Sequence, residues 1–143
     1  EPPPLPKRCV ARLSRHTDEV WIAAVSNDGK LLASSSKDRT VILWECGADA
    51  SFRVARVLLG HKGPCTALSW SPDDQHLLTA SSDCTVRLWV PSSQEPPLVL
   101  TKHTGLVTSV AWLPDCKHFV SAGFDRCLFL WDTEGTVSHR WEL

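Results

Sequence analysis

Several features that would assign this chain to a familiar class of protein are missing from its sequence. No apolar run is long enough to cross a lipid bilayer, and no stretch has the composition of a signal peptide. No segment shows sustained helical periodicity, which argues against an α-helical fold. We therefore expect a soluble intracellular protein, located in the cytoplasm, in the nucleus or in both.

The sequence also lacks a CxxC pair, and the spacing of its cysteines matches no zinc-binding pattern. The six cysteines are Cys9, Cys46, Cys65, Cys84, Cys116 and Cys127. A disulfide framework is the alternative to free thiols, but several of these residues lie in predicted strands where other repeats carry Val, Thr or Arg. We predict reduced thiols, no metal site and no cofactor.

No strong excess of charge is present, since the net charge is −1. The one local excess is near the N-terminus and consists of Lys7, Arg8, Arg12 and Arg15. No stacking aromatic side chains lie between these cations, so they are weak evidence for nucleic-acid binding. We favour a solvated edge strand over Cys9–Leu13, because edge strands often carry positive charge.

The most informative pattern is a predicted hairpin that occurs three times. Its first copy is Leu31–Glu45, in which Lys37-Asp38-Arg39 forms the turn between two apolar strands. Equivalent stretches begin at Leu77 and Phe119. In each copy an Asp lies six residues before a Trp, and a His lies 22 residues before that Asp. Fixed units with a period of about 40–45 residues and four strands each are typical of β-propeller blades.

A hydroxyl side chain lies four residues before each Asp, so every repeat contains four residues at fixed spacing. These three tetrads are His16, Ser34, Asp38 and Trp44; His61, Thr79, Asp83 and Trp89; and His103, Ser121, Asp125 and Trp131.

A single Ser-His-Asp set would suggest a hydrolase triad. We predict no catalytic residues and no enzyme activity, because the set recurs and Thr79 replaces Ser in its second copy. The predicted role is structural. The Asp caps the hairpin turn, the His holds the preceding loop, and the hydroxyl and the indole complete a buried hydrogen-bond relay.

The repeats divide the chain into a leader and a propeller segment. Residues 1–12 form a proline-rich leader with a leading outer strand, and residues 13–143 form three repeats, at about 13–51, 52–95 and 96–143. The predicted fold is all-β, with three four-stranded antiparallel blades and one spare outer strand. Three blades make an open arc. We favour a fragment of a longer chain, and self-association through open blade edges is the alternative.

The chain resembles the WD40-repeat β-propeller family. The residues that carry this resemblance are Gly60-His61, Ser71-Pro72-Asp73, Ser82-Asp83, Val86-Arg87-Leu88-Trp89 and Trp131-Asp132, with their counterparts in the other repeats. The resemblance covers all three repeats. It implies a non-catalytic scaffold whose partners are other proteins, with no membrane or nucleic acid among them.

Further stretches resemble one subfamily, the WD-repeat subunit of the GID/CTLH-type E3 ubiquitin ligase. They are Leu5-Pro6, Asp18–Trp21, Ser26–Gly29, Ser36–Trp44, Thr108–Trp112 and Arg140–Glu142. This resemblance implies a scaffold that helps to assemble the ligase or to present its substrates. A general WD40 platform in RNA processing, trafficking or chromatin is the alternative.

The loops that carry the tetrad His and the turns that carry the tetrad Asp should emerge on one rim of the blades. The candidates for protein contact on this rim are Asp18, Glu19, Trp21, Lys37, Arg39, Phe124 and Arg126. Exposed aromatic residues flanked by charge are typical of interaction hot spots, which favours Trp21 and Phe124. Two other roles stay open: packing of Trp21 between blades and capping of a turn by Phe124.

Overall fold

The computed structural model describes residues 8–142, so the predicted proline-rich leader at 1–6 lies outside the described residues. Residues 8–142 contain twelve β-strands and no helix, and hence no helix that could span a membrane. The strands are β1 (Val20–Val25), β2 (Leu31–Ser36), β3 (Val41–Cys46), β4 (Phe52–Leu58), β5 (Cys65–Trp70), β6 (Leu77–Ser81), β7 (Val86–Trp89), β8 (Leu98–Leu100), β9 (Val107–Trp112), β10 (His118–Gly123), β11 (Cys127–Asp132) and β12 (Val137–Glu142).

These strands form three four-stranded antiparallel sheets, which confirms the all-β prediction. Blade 1 consists of β1–β4, blade 2 of β5–β8 and blade 3 of β9–β12. Within each blade, sequence neighbours pair through short turns, which the Asp-rich and Gly-containing segments between strands supply. The sheets are consistent with the blades of a partial propeller.

The predicted leading strand over Cys9–Leu13 is wrong, because this segment has no regular structure and is exposed. The outer position of each blade is taken by β4, β8 or β12. A lone strand is not stable in water without a hydrogen-bonded partner. The prediction counted an outer strand before the three inner strands of each blade, which left the last strand of the chain spare. In the structure the outer strand follows the inner ones, so that last strand is β12 and completes blade 3.

Blade 2 is buried on both faces, because successive side chains of a strand point to opposite faces of the sheet. Leu77 and Trp89 belong to a buried cluster shared with blade 1. Leu78 and Leu88 belong to a second buried cluster shared with blade 3. The hydrophobic core of this chain therefore lies between the blades.

The two end blades each have a partly open apolar surface. In blade 3, Val120 and Leu130 occupy the positions of Leu78 and Leu88 but are only half-buried. In blade 1, the side chain of Val25 is exposed.

One indole ring connects blade 2 to blade 1, and another connects blade 3 to blade 2. The Nε1–H of Trp70 donates to the backbone oxygen of Ala24 at 2.9 Å, and that of Trp112 donates to the backbone oxygen of Ser69 at 3.2 Å. Trp70 belongs to the buried cluster between blades 1 and 2, and Trp112 packs against the buried cluster between blades 2 and 3. Blade 1 carries Val25 at the equivalent position.

Antiparallel pairing gives the arc two distinct ends. The end that carries the tetrad loops and the turns at 37–40, 82–85 and 124–126 is called the relay end. Because each strand reverses direction, the turns at 26–30, 71–76 and 113–117 lie at the opposite end, called the far end.

Candidate functional site

The tetrad of blade 2 forms one continuous chain of hydrogen bonds. Nδ1 of His61 lies 3.0 Å from a carboxylate oxygen of Asp83, and its Nε2 lies 2.8 Å from the Thr79 hydroxyl. The indole N–H of Trp89 donates to the same hydroxyl at 2.9 Å. With a neutral imidazole, the Nδ1–H donates to the carboxylate and Nε2 accepts the hydroxyl proton, so every polar atom of the relay is paired.

The other two tetrads have the same geometry, with donor–acceptor distances of 2.8–2.9 Å. They comprise His16, Ser34, Asp38 and Trp44 in blade 1, and His103, Ser121, Asp125 and Trp131 in blade 3. The structure therefore brings the members of each tetrad together around one buried or nearly buried hydroxyl.

The sequence reasoning missed a fifth member of this arrangement. The hydroxyls of Thr40 and Thr85 donate to the tetrad carboxylates of Asp38 and Asp83 at 2.6 Å. In blade 3 the same position is Cys127, whose thiol instead lies 3.5 Å from a backbone oxygen. The sequence pattern that could have identified this fifth member is a Thr two residues after the tetrad Asp, which occurs in two of the three repeats.

Backbone N–H groups also bind the tetrad carboxylates. Those of Thr17, Lys62 and Thr104 donate to the Asp of their own blade at 2.8–3.0 Å. Each of these residues directly follows a tetrad His. The carboxylate therefore connects the incoming loop to the hairpin turn, and together they form a fixed surface at the relay end.

The protonation states in blade 2 agree with this hydrogen bonding. Burial of Asp83 opposes its ionisation, but hydrogen bonds from Thr85, the Lys62 backbone and His61 outweigh that effect and lower the pKa of the carboxyl to about 2. Burial lowers the pKa of His61, although the nearby Asp83 carboxylate acts in the opposite direction. A charged carboxylate and a neutral imidazole are therefore favoured at neutral pH.

The tetrad hydroxyls are poorly placed for nucleophilic attack. The Thr79 side chain is 0% exposed, and its oxygen already contacts the imidazole and an indole N–H. A substrate carbonyl has no path to this oxygen, so the geometry suits structural support rather than acyl transfer.

The rim candidates all lie at the relay end with exposed side chains: Asp18, Glu19, Trp21, Lys37, Arg39, Phe124 and Arg126. Trp21 is 45% exposed and Phe124 is 74% exposed. The indole N–H of Trp21 donates to Glu19 at 3.0 Å, and Lys37 contacts the other oxygen of that carboxylate at 3.3 Å.

Trp21 occupies a β-bulge, which the sequence did not reveal. The pairing of β1 with β2 shifts register between Val20 and Ile22, and β5 and β9 shift at the equivalent positions. A bulge changes the direction in which a side chain points and is common near binding sites. In blades 2 and 3 the bulge residue is Thr66 or Thr108, so Trp21 is the one aromatic residue at this position in the described blades.

In the part of the chain that the structure describes, the side chains that could hold a metal ion are those of His, Cys, Asp and Glu. All six cysteines are free. Within residues 8–142 no three His, Cys, Asp or Glu side chains are arranged to hold a metal ion.

The family model for the WD domain, G-beta repeat, matches residues 7–45, 52–90 and 94–132. Because these matches cover most of the chain, the chain belongs to the WD40-repeat family. Members of this family are generally non-catalytic scaffolds that mediate protein–protein interactions. The matched ranges contain all three tetrads.

Curated relatives match part of the chain. It is 45% identical over 85 residues to the WD repeat-containing protein 26 homolog of Arabidopsis thaliana, covering 59% of the chain and 14% of that protein. It is 39% identical over 85 residues to the WD repeat-containing protein WDS homolog of Arabidopsis thaliana, covering 59% and 16%. It is 40% identical over 95 residues to Elongator complex protein 2 of Danio rerio, covering 60% and 11%. The matched part of the chain is thus less than a fifth of each relative's length.

Proposed function

We propose that this WD40 chain is an assembly or substrate-recruiting subunit of a GID/CTLH-type E3 ubiquitin ligase. It would bind ligase subunits or substrates through the exposed rim at the relay end. The observation that carries the proposal is the indole of Trp21, which is exposed on a β-bulge and hydrogen-bonded to Glu19.

The rim is suited to binding because it is fixed before a partner arrives. Lys37 and Arg39 flank the turn residue Asp38, whose carboxylate binds His16 and the backbone N–H of Thr17. A surface that is already ordered loses little conformational entropy on association. An exposed aromatic ring beside charged groups is the composition that interaction hot spots favour.

The ligase assignment is supported by sequence resemblance. The stretches at 18–21, 26–29 and 36–44 resemble the WD-repeat subunit of that ligase, and all three lie in blade 1 or in the loop before it. The 45% identity to the WD repeat-containing protein 26 homolog supports the coarser assignment to a WD-repeat protein. Action in the cytoplasm, the nucleus or both is part of the proposal.

A general interaction platform in another complex is the second candidate. Similarity to Elongator complex protein 2, at 40% identity over 95 residues, favours it. This function would use the same rim, so the two candidates differ in the partner and not in the surface.

Affinity purification of the endogenous protein, followed by mass spectrometry, distinguishes these candidates. We expect RING- and CTLH-containing ligase subunits in the purified complex. Trp21→Ala should remove them, whereas Trp141→Ala should not, because Trp141 is similarly exposed but lies on β12, the outer strand of blade 3, and is not one of the rim candidates. If the purified partners belong to a different complex and Trp21→Ala abolishes their recovery, the general platform is favoured. Partners that are insensitive to Trp21→Ala would exclude the rim as the binding surface.

A second copy of the chain is a further proposed partner. The half-buried apolar face of blade 3, which includes Val120, Leu128 and Leu130, supports this proposal. Light scattering should show association that Leu130→Glu reduces. A monomer at all concentrations would exclude it.

A further inference from the structure

A long groove lies at the far end, between blade 1 and blade 2. Its larger part has a volume of about 830 Å³, and a neighbouring part of about 350 Å³ continues it. The two parts share the lining residues Leu31, Glu45, Asp74 and Gln75. Sites of roughly 300–1,000 Å³ are typical of ligand binding, and two adjoining parts that share a wall can take successive side chains of an extended chain.

The larger part of the groove has an uncompensated negative charge. Its carboxylates belong to Asp28, Glu45, Asp73 and Asp74, and its cations are Lys30 and Arg53. Both cations are already used, since Lys30 pairs with Asp28 and Arg53 pairs with Glu45. Among residues 8–142, Asp73 and Asp74 have no cationic partner within ion-pair distance.

These two carboxylates are held in place by neutral donors. Asp74 accepts the backbone N–H groups of Asn27 and Asp28, each at 2.8 Å. Asp73 accepts the Ser71 hydroxyl and the Gln75 backbone N–H through one oxygen, which leaves its other oxygen without a partner among residues 8–142. The Ser71 hydrogen bond, with that of Gln75, lowers the pKa of Asp73, so its carboxylate is charged at neutral pH.

An apolar wall adjoins the charged side. Leu31, Cys46 and Phe52 line the larger part of the groove and are half-buried. A ligand that combines a cation with an apolar group would satisfy both sides.

We propose that this groove binds an extended segment of a partner protein in which an arginine or lysine adjoins an apolar residue. The cation contacts the free oxygen of Asp73, and the apolar side chain packs against Phe52 and Leu31. Charge complementarity selects this partner, because an acidic segment would face the four carboxylates of the larger part, whose two cations are already paired. The one cation of the smaller part, Arg56, donates to backbone oxygens.

The groove is independent of the rim at the relay end. The turns that form it, at 26–30 and 71–76, lie at the opposite ends of the strands from the turns at 37–40 and 82–85. Two partners can therefore bind the chain at once, one at each end of the blades.

Fluorescence anisotropy tests the proposal with a labelled peptide of alternating arginine and leucine, titrated with the whole chain. Two control peptides replace arginine with glutamate or leucine with serine. We expect saturable binding of the arginine–leucine peptide that is about tenfold tighter than binding of either control. Equal binding of all three peptides, or no saturable binding, would overturn the proposal.

Matched variants locate the site. Asp73→Asn should weaken binding about tenfold, whereas Asp115→Asn, at the same turn position of blade 3, should not. Phe52→Ala should weaken it similarly, whereas Phe124→Ala at the relay end should not. Equal losses in a variant and its control would refute the assignment.

Alkylation of the free thiols gives a readout that needs no variant. Bound peptide should slow the reaction of iodoacetamide with Cys46, which lines the groove, and leave Cys84 at the relay end unchanged. Unchanged reactivity at Cys46 under saturating peptide would place binding elsewhere. Protection of Cys46 does not depend on the rim at the relay end. The result therefore tests peptide binding in the groove whether or not the ligase proposal is correct.

Discussion

The joint between blades 1 and 2 and the joint between blades 2 and 3 are held by different chemistry. In the first, Asp74 of blade 2 accepts hydrogen bonds from the side-chain amide and backbone of Asn27 and from the backbone of Asp28. Arg56 of blade 1 also donates to backbone oxygens in the loop after Trp89 of blade 2. These polar contacts are added to a buried apolar cluster.

The second joint has no counterpart of the hydrogen bonds between Asp74 and the turn of the preceding blade. Pro72 stands where blade 1 has Asn27, and Cys116 stands where blade 2 has Asp74. Proline has no backbone N–H to donate, and a thiol is a poor acceptor. Its buried cluster contains three aromatic residues, Phe119, Phe129 and Trp131, whereas the cluster of the first joint contains two, Trp70 and Trp89.

One repeat geometry therefore supports two kinds of joint. The tetrads fix each blade, and the contacts at the joints differ: both joints bury aromatic residues, and the first adds the hydrogen bonds of Asp74. We therefore expect the joints to respond differently to substitution, with the largest loss of stability at the second joint, which buries three aromatic residues.

Trp131→Ala should be the most destabilising of the changes considered. Trp131 is 1% exposed, packs against Phe119 and Phe129, and donates to Ser121 at 2.8 Å. Its removal should lower the free energy of unfolding by about 3–5 kcal/mol in urea titrations. The exposed Trp141 is the control, since Trp141→Ala should cost far less. Similar losses for both would show that the aromatic cluster does not hold the joint.

Asp83→Ala should come next, at about 2–3 kcal/mol. The change leaves the backbone N–H of Lys62 and the Thr85 hydroxyl without their acceptor. Urea titration measures the loss. Unchanged stability would contradict the structural role predicted for the tetrads.

Acidification should destabilise the fold through the same tetrad. The folded pKa of Asp83 is about 2, below the ordinary 3.8, so its contribution is complete above 3.8 and is lost as the pH falls towards 2. The pKa of His61 is also lowered from 6.5, so the folded state resists protonation and loses stability below that pH. Urea midpoints measured at successive pH values check this, and Asp83→Asn should show a smaller loss at the acidic end. A midpoint that rises with acid would contradict both assignments.

Asp74→Asn tests the polar joint and should cost about 1 kcal/mol. Asn tolerates the positive φ of 57° at this position, so the loss reports mainly on the hydrogen bonds to Asn27 and Asp28. Cys116→Ser at the equivalent position of blade 3 should have little effect on the urea midpoint. A larger loss of stability for Cys116→Ser than for Asp74→Asn would show that the polar contacts of Asp74 do not distinguish the first joint from the second.

Cys127→Thr should produce the smallest change, a gain of about 0.5–1 kcal/mol. The new hydroxyl would donate to Asp125, as Thr40 and Thr85 donate to their own tetrad carboxylates. Thermal or urea unfolding can detect the gain, with Cys127→Val as the control without a donor. Equal stability of the two variants would show that the fifth position adds nothing.

The periodic part of the fold could be predicted from the sequence, because its signals are local. The hairpin predicted over Leu31–Glu45 is formed by β2 and β3, and the fixed spacing identified residues that meet around each buried hydroxyl. The prediction of a leading strand over Cys9–Leu13 was wrong because a strand needs a neighbouring strand to pair with, and the composition of a segment does not reveal whether one is present.

The joints and the groove could not be predicted, because they depend on contacts between distant residues. Asn27 and Asp74 are 47 positions apart, and neither belongs to the conspicuous motif spacing. The bulge at Trp21 follows from strand register, which alternation alone does not determine. The contact between Asn27 and Asp74 departs from the repeat, whereas the bulge occurs in all three blades and only its aromatic residue is particular to blade 1.

The indole contacts give the row of blades a direction. Trp70 and Trp112 each donate to the preceding blade, whereas Val25 of blade 1 has no donor to offer. The two end faces are therefore unlike, and copies that meet through them would do so head to tail. Such heterologous contacts form a closed ring when the rotation between copies divides the circle evenly, and an open filament when it does not.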